Sequence, residues 1–569
     1  MKTTNSIKIF QSIISSTQTY LDELCASWNV YEKQSFFVNA ISIYDHYFID
    51  SLSIDTHDSN YFRYRVIRYG YPFFIKQFYD PKFCELPGTA LKAMDHKHLE
   101  LYAKIVYSCG IIGWMQNFID NINAGVFTSS SFLNIARVKF TEKYHWIEYL
   151  EQEYLSWYSS MVASIQKDRY DILNEELPEV LQKLKSGVFV WKDSFMGYQN
   201  DLSTEEFFQS HAYLDAQQST SWDTFPPDCT FGRITYSDFV HAIVELSGYA
   251  IKHLYCARIL QNLHPELIFD NLMCCLFEES ELTKLVSTNR RIAIGDALSL
   301  LEMISLSAKN LENSIAGNTR YAPYIKISGT QYLHSIAGLL DDPFLFLLAH
   351  LRKNYPSDWD RNVNLRESTF REQLYLLFDD PRFICINRPV IIKENGNVVT
   401  DIDATVIDKQ TGAVALFQLK WQDPTATSLH SLKSKKVNFE NETSSWIQKI
   451  TTWIGKSSNA EIANLLGIKA RYLEKENIKL FVLGRKHSCY SGDIPPQHEI
   501  CAWCQWYQLL QTIKYLSDRQ LLSLESLHAT LKQTTPFSKR IIEPTNKFIY
   551  GKYRIYFGGS RKLFTSKHA

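Results

Sequence analysis

The apolar pattern of the chain changes near residues 353–364, and this change limits the folds that the sequence can adopt. Before it, apolar residues recur at spacings of three and four, as they do on the buried faces of helices. After it, short apolar and β-branched runs alternate with polar turns, which is typical of strands. The segment itself, KNYPSDWDRNVN, is polar, contains a proline and predicts a domain boundary.

This boundary predicts a mixed α+β protein in three parts. Residues 1–355 form a large, mainly helical regulatory or recognition region, residues 360–495 form a mixed domain, and residues 496–569 form C-terminal helices and a basic tail. The mixed domain has the predicted order α-β-β-β-α-β. Its predicted elements are a helix at about 365–378, strands at 382–393, 398–408 and 413–421, a helix near 438–455 and a strand at 478–484. In the helical region, 237–263 and 295–317 are predicted helices.

Cysteine usage and hydropathy predict a cytoplasmic protein without a membrane span. No run approaches 18 apolar residues, and the N-terminus lacks the apolar core of a secretory signal. The 11 cysteines are scattered without a framework, as is typical of reduced thiols. Cys501 and Cys504 form one CxxC spacing, which we interpret as two buried thiols on an amphipathic helix.

The formal net charge of −1 conceals an asymmetry. Residues 361–569 carry a balance of +11, and residues 1–360 carry −12. A basic half indicates an anionic partner, and nucleic acid is the commonest one. The alternative is that the two halves neutralise each other across an interface.

A predicted hairpin in VVTDIDATVIDKQTGAVALFQLKWQD (398–423) places four polar side chains together. The polar turn DKQTG aligns the strands so that Asp403 faces Gln418 and Asp401 faces Lys420. Side chains alternate along strands, so these four share one face of the sheet. The opposite face carries the predicted core, Ile402, Ala404, Val406, Ala415, Phe417 and Leu419.

Carboxylate and amide oxygens are hard ligands that suit Mg²⁺ or Mn²⁺, which also bind substrate phosphates. A neighbouring lysine can stabilise the negative charge that develops when a phosphodiester is hydrolysed. The alternative interpretation is a strand pair with an exposed polar face and no chemistry.

The pattern DID, turn, FQLK resembles the PD-(D/E)XK nuclease superfamily, and glutamine in place of the middle acid is similar to the Mrr-like restriction nucleases. That family has a core of order α-β-β-β-α-β, and the resemblance covers residues 365–490. It implies that Asp403 is the metal-binding aspartate, Gln418 the second metal ligand and Lys420 the catalytic lysine. The proline that often precedes the first aspartate is absent here.

The family often adds a glutamate from the preceding helix, and LRESTFREQLYLLF offers Glu367 and Glu372. Helical phase places Glu367 on the buried side and Glu372 nearly opposite, so Glu367 is the predicted third ligand and Glu372 a solvated residue. Asp401 either assists or lies at the rim of the site. Asp408 opens the turn and is predicted to act there.

Basic residues near the hairpin and in the tail are candidates for phosphate contacts, and solvated surface is the alternative. The candidates are Lys433, Lys435, Lys436, Arg554, Arg561 and Lys562.

Together these features predict a Mg²⁺-dependent endonuclease with DNA as the expected substrate; RNA would suit the same site. The alternative is a nuclease-fold module without catalysis that binds nucleic acid or a partner protein. The helical region is expected to mediate homo-oligomer formation or partner docking. Its fusion to an Mrr-like nuclease resembles bacterial defence against phage or foreign DNA.

Overall fold

The computed structural model describes residues 2–53, 59–89, 91–141, 158–199, 201–312, 321–424, 429–469, 473–486, 497–533 and 546–558. These residues form a mixed α+β protein with several small sheets and a mainly helical N-terminal region, as the sequence predicts. In the described parts of the chain, every helix is too short or too polar to cross a bilayer.

Helices dominate the N-terminal region, and their starts follow from local sequence. The predicted helix at 237–263 is confirmed as Tyr236–Leu263, and it begins at a capping box in which Thr235 and Asp238 satisfy each other's backbone N–H groups. The helices are α1 (Lys2–Cys25), α2 (Val30–Ser53), α3 (Ser59–Phe78), α4 (His96–Asn123), α5 (Lys167–Gly187), α6 (Leu202–Gln217), α7 (Tyr236–Leu263), α8 (Phe269–Leu272), α9 (Glu279–Arg290), α10 (Ile294–Met303), α11 (Ile336–Leu340) and α12 (Pro343–Asn354), with a 3₁₀ turn at Pro81–Glu85.

Short strands interrupt these helices, and the sequence did not predict them. The predicted helix at 295–317 is wrong at residues 304–310, because the chain there enters a two-residue strand that pairs with Tyr324 and Ile325; residues 313–317 of the prediction lie outside the described residues. The strands are β1 (Phe127–Phe132), β2 (Ile135–Phe140), β3 (Val188–Trp191), β4 (Phe195–Tyr198), β5 (Thr230–Phe231), β6 (Ile234–Thr235), β7 (Cys275–Glu278), β8 (Ser305–Leu306), β9 (Tyr324–Lys326) and β10 (Gln331–His334). Strands β7, β10, β9 and β8 form one sheet in that order.

The segment predicted as a boundary is a helix instead of a linker. Helix α13 (Pro356–Leu376) starts one residue after Tyr355, with its proline in the first turn, where a missing N–H costs no hydrogen bond. Near its start Trp359 packs into the N-terminal core, and farther along Phe370 packs into the core of the following sheet. The helix therefore packs against both regions.

After α13 the chain forms a five-stranded sheet of order β11-β14-β15-β16-β17. The first three strands pair antiparallel, and the last pairs are parallel. A separate hairpin, β12–β13, precedes β14. The strands are β11 (Phe383–Cys385), β12 (Val390–Glu394), β13 (Asn397–Ile402), β14 (Ala404–Asp408), β15 (Val414–Lys420), β16 (Ile478–Gly484) and β17 (Cys501–Gln505).

Helices cover both faces of this sheet, so its central strands are buried on both sides. One face packs against residues of α13 and of α16 (Trp506–Asp518) and α17 (Leu524–Gln533). The other packs against α14 (Leu429–Lys456) and α15 (Asn459–Leu466); a 3₁₀ turn, Lys475–Asn477, leads into β16.

The CxxC segment lies on strand β17, so the prediction of a helix there is wrong. A short apolar run bounded by turns suits a buried strand as well as a helix, and pairing with β16 decides it. Cys501 and Cys504 are fully buried, as predicted, and burial raises the pKa of both thiols. They lie on opposite faces of the sheet, so they cannot bind one metal ion together.

The basic tail forms a hairpin that joins the N-terminal region. Strands β18 (Asn546–Tyr550) and β19 (Tyr553–Phe557) pair antiparallel, and β19 pairs parallel with β2. Phe548 and Ile555 pack with Trp114 and Phe118 of α4. Residues 546–557 are thus held against helices α1 and α4.

Candidate active site

Asp403 lies at a bend where one strand leaves its partner and joins another. Residues up to Ile402 pair with β12, and residues from Ala404 pair with β15. The Asp403 N–H donates to the carbonyl of Phe417 at 3.1 Å, and Ala404 also pairs with Phe417, so Asp403 is an extra residue at the end of the β14–β15 ladder. The predicted contact between Asp403 and Gln418 is confirmed by the hydrogen bond between their side chains, although the two residues are not ladder partners.

The bend corrects two other predictions. Asp401 is paired with Ile391 of β12 and not with Lys420, since the strand has already left the sheet there. Ile402 packs into the core beneath α14, whereas Ala404 and Phe417 pack into the opposite core. Alternation in the sequence continues through the bend and gave no sign of it.

Asp403 is 1% exposed, and the hydrogen bonds to its carboxylate involve one of the two oxygens. Its Oδ2 accepts hydrogen bonds from the side-chain amide of Gln418 and, at 2.7 Å, from the backbone N–H of Leu419. Burial first, and then the charge of Glu367, raise the pKa of Asp403 to about 8, although the Leu419 N–H and Lys420 oppose the shift. Ionising this carboxyl group is therefore unfavourable in the folded protein.

Glu367 of α13 is the acidic residue whose charge raises the pKa of Asp403. Arg371, one turn later on α13, lies 3.7 Å from the Glu367 carboxylate and donates to the backbone carbonyl of Asp403 at 3.1 Å. Partial burial and the charge of Asp401 raise the pKa of Glu367. Glu372 is exposed. Arg371 was not predicted; its spacing of four from Glu367 was the available signal.

Lys420 follows Gln418 by two residues, so both lie on the same face of β15, which α14 covers. Its ammonium group donates to Glu442 of α14 at 3.2 Å, and its charge favours the ionised forms of Asp403 and Glu367. Glu442 was not predicted. Glu442 lies one turn before Trp446 on α14, so both residues share one face of the helix. The Trp446 indole N–H donates to the Asp401 carbonyl at 2.7 Å, which shows that this face contacts the site.

Asp408 is structural, in agreement with the predicted turn role. It accepts from the Gln410 N–H at 2.9 Å and forms a two-point ion pair with Arg382, with bonds of 2.8 and 2.5 Å. Burial disfavours its ionisation, but the Arg382 hydrogen bonds hold the pKa of Asp408 below its ordinary value.

The predicted phosphate-contacting residues do not form one exposed track. Lys433 and Lys435 donate to backbone carbonyls of Ala124 and Pro424, and Lys436 is 3% exposed with Glu440 at 3.7 Å. Arg554 is exposed on β19. Arg561 and Lys562 lie outside the described residues.

The donor set fits a divalent metal that binds few protein ligands. Among the described residues, no three His, Cys, Asp or Glu side chains form a group that could hold a metal ion. Mg²⁺ commonly uses only one or two carboxylates together with water and substrate phosphate. Asp403 Oδ1 and Gln418 Oε1 accept no hydrogen bond within the described residues, so both hard oxygens are available as ligands. They, with Glu367, would hold Mg²⁺ or Mn²⁺.

Comparisons with known proteins give no match: no family model fits the chain, and no curated protein or solved structure is significantly similar to it.

Proposed function

We propose that the chain is a Mg²⁺-dependent nuclease that hydrolyses phosphodiester bonds. The observation that supports this most is the pairing of buried Asp403 with Gln418, with Lys420 next along the same face of β15. This arrangement resembles the PD-(D/E)XK sites with a QxK motif. A sheet that begins antiparallel, continues parallel and is covered by helices on both faces also resembles the restriction-endonuclease-like fold.

Each side chain has a defined part in this proposal. A bound divalent ion would activate water and neutralise charge on the scissile phosphate. Gln418 and the Leu419 N–H orient the Asp403 carboxylate so that its second oxygen remains available. Lys420 would stabilise negative charge on the phosphate, and Glu442 holds its ammonium group near the site until a phosphate competes for it.

DNA is the proposed substrate because the half of the chain that holds the site carries a balance of +11. Of the described candidates for phosphate contacts, Arg554 is the exposed one. Binding of DNA would therefore require other basic residues in addition. A role in bacterial defence, with the N-terminal region acting as sensor or partner-docking module, is part of the proposal.

A second candidate is a binding module that keeps the fold without catalysis. The observation that favours it is the set of bonds within the site: Asp403 is bonded to Gln418 and Leu419, and Lys420 is paired with Glu442. These bonds hold the side chains in place without a metal ion.

Lys420→Ala separates the two candidates. We expect the full-length variant to cleave linear DNA about 100-fold more slowly or worse, because one charge at the reacting phosphate is lost. Its DNA affinity should change only a few fold, since binding is spread over many charges. Lys409→Ala, an exposed lysine in the hairpin turn, is the matched control and should cleave normally. RNA assayed in parallel identifies the substrate.

If parent and Lys420→Ala bind DNA equally and neither cleaves with Mg²⁺ or Mn²⁺, the binding module is the better description. Equal cleavage by the two proteins would place the activity elsewhere.

A further inference from the structure

A second cluster of charged residues lies where β15 and β16 end, on the face of the sheet opposite Lys420. Arg485 follows β16 and is 7% exposed. Its guanidinium carbon lies 4.8 Å from the ring centre of Trp421, 5.2 Å from that of Trp506 and 5.5 Å from that of Phe370. Aromatic rings thus surround a buried cation.

Arg366 of α13 is buried even more completely, at 3% exposed. Its Nη1 donates to Asp423 at 2.6 Å, and its guanidinium carbon lies 4.1 Å from the ring centre of Phe225. Its Nε and Nη2 groups are shielded from solvent and have no acceptor among the residues that the structure describes. The same holds for Arg485 Nε and for the indole N–H of Trp421. A buried donor without an acceptor destabilises the folded protein, so these groups favour binding of an anion that would accept from them.

These donors belong to one small region. Phe370, one turn after Arg366, contacts Trp421 at 5.8 Å between ring centres and also lies beneath Arg485. Asp423, which binds Arg366, is two residues after Trp421. The segment 421–423 therefore touches both arginines.

The cluster also has an excess of positive charge. Arg485 and Lys486 share Asp223, which comes from the N-terminal region, and Arg366 binds Asp423. Three cations at most 7% exposed thus face two carboxylates. Burial lowers the pKa of Lys486; Asp223 opposes this, and Arg485 and Arg366 lower it further. One bound anion would balance the charge.

We propose that a small oxyanion of the phosphate class binds between Arg366, Arg485 and Trp421. Guanidinium N–H groups bind phosphate oxygens strongly. The burial of the cluster suits a free ion or the phosphate of a small molecule, not a DNA backbone. The site is independent of the candidate nuclease chemistry, and through Asp223 it lies where the N-terminal region meets the sheet.

Thermal unfolding of the full-length protein tests this proposal. In phosphate-free buffer, inorganic phosphate should raise the unfolding midpoint, and NaCl of equal ionic strength should not. Arg366→Gln should abolish the response. The matched control is Arg352→Gln, because Arg352 also lies near Asp423, at 3.6 Å, but is 67% exposed; it should respond normally.

Trp421→Phe removes only one donor and provides a test if Arg366→Gln does not fold. It should weaken phosphate binding about fivefold, as expected for the loss of one hydrogen bond. A 5′-mononucleotide that raises the midpoint where phosphate does not would identify the phosphate source as a small molecule. Equal responses to phosphate and chloride with no response to the mononucleotide, or a full phosphate response in Arg366→Gln, would overturn the proposal.

Discussion

Replacing Asp403 with asparagine removes a carboxylate that the folded protein disfavours. The pKa of Asp403 is raised from an ordinary value of 3.8 to about 8, chiefly by burial and then by Glu367. Between about pH 4 and pH 8 the folded protein keeps this proton and the unfolded chain has lost it. The stability that this group contributes below pH 4 is therefore lost progressively as the pH rises to about 8.

The size of the effect follows from the shift. A pH of 7 is about three units above the pKa of this carboxyl group in the unfolded chain. Each unit corresponds to about 1.4 kcal/mol, so Asp403 lowers the free energy of unfolding at pH 7 by up to about 4 kcal/mol. Asparagine has no such cost, and its oxygen can still accept from Gln418 and Leu419. We expect Asp403→Asn to be more stable than the parent by about 1–4 kcal/mol at pH 7 and nearly equal to it at pH 4.

Urea unfolding of both proteins at several pH values without metal measures this difference. The comparison cancels other titrating groups, including buried Asp45, whose pKa burial raises to about 7. Asp518→Asn is the control, because it removes one carboxylate from an exposed side chain at the end of α16, outside the site, and its gain should be much smaller. An Asp403→Asn protein that is less stable than the parent at pH 7 would refute the reasoning.

Further predictions concern charge at the site and the support around it. Glu367→Gln should lower the pKa of Asp403, since Glu367 raises it, and so shift the pH dependence of stability to lower pH when unfolding is measured as above. Mg²⁺ binding by the parent, measured by calorimetry, should strengthen with rising pH up to about pH 8 and release a proton below it. Asp408→Ala should destabilise the protein by about 3–5 kcal/mol, because it leaves Arg382 unpaired, and urea unfolding would show it. Trp446→Phe should cost about 1 kcal/mol by removing the bond to the Asp401 carbonyl.

The sequence predicted the hairpin that carries the site because its signals are local. A polar turn fixes the register of two adjacent strands, and alternation then brings Asp403 near Gln418. The bend at Asp403 has no such signal. It arises because β13 pairs with β12 whereas β14 pairs with β15, and these pairings depend on tertiary packing.

Other features depend on residues far apart in the chain. Strand β19 pairs with β2, so Arg554 lies beside Ile135, and no local pattern reports such a pairing. The burial of Lys436, and of Arg366 beside Phe225, likewise depends on how separate elements pack. Strands of two to four residues, such as β8, are shorter than the windows in which periodicity can be recognised.

The rate at which full-length protein cleaves end-labelled DNA, measured as Mg²⁺ is titrated, tests the proposed nuclease most directly. The parent and the Asp518→Asn control should cleave with Mg²⁺ and stop when a chelator is added. Asp403→Asn, although folded, should cleave at least about 100-fold more slowly at every Mg²⁺ concentration. Cleavage that persists in chelator, or an Asp403→Asn protein as fast as the parent, would contradict the proposal.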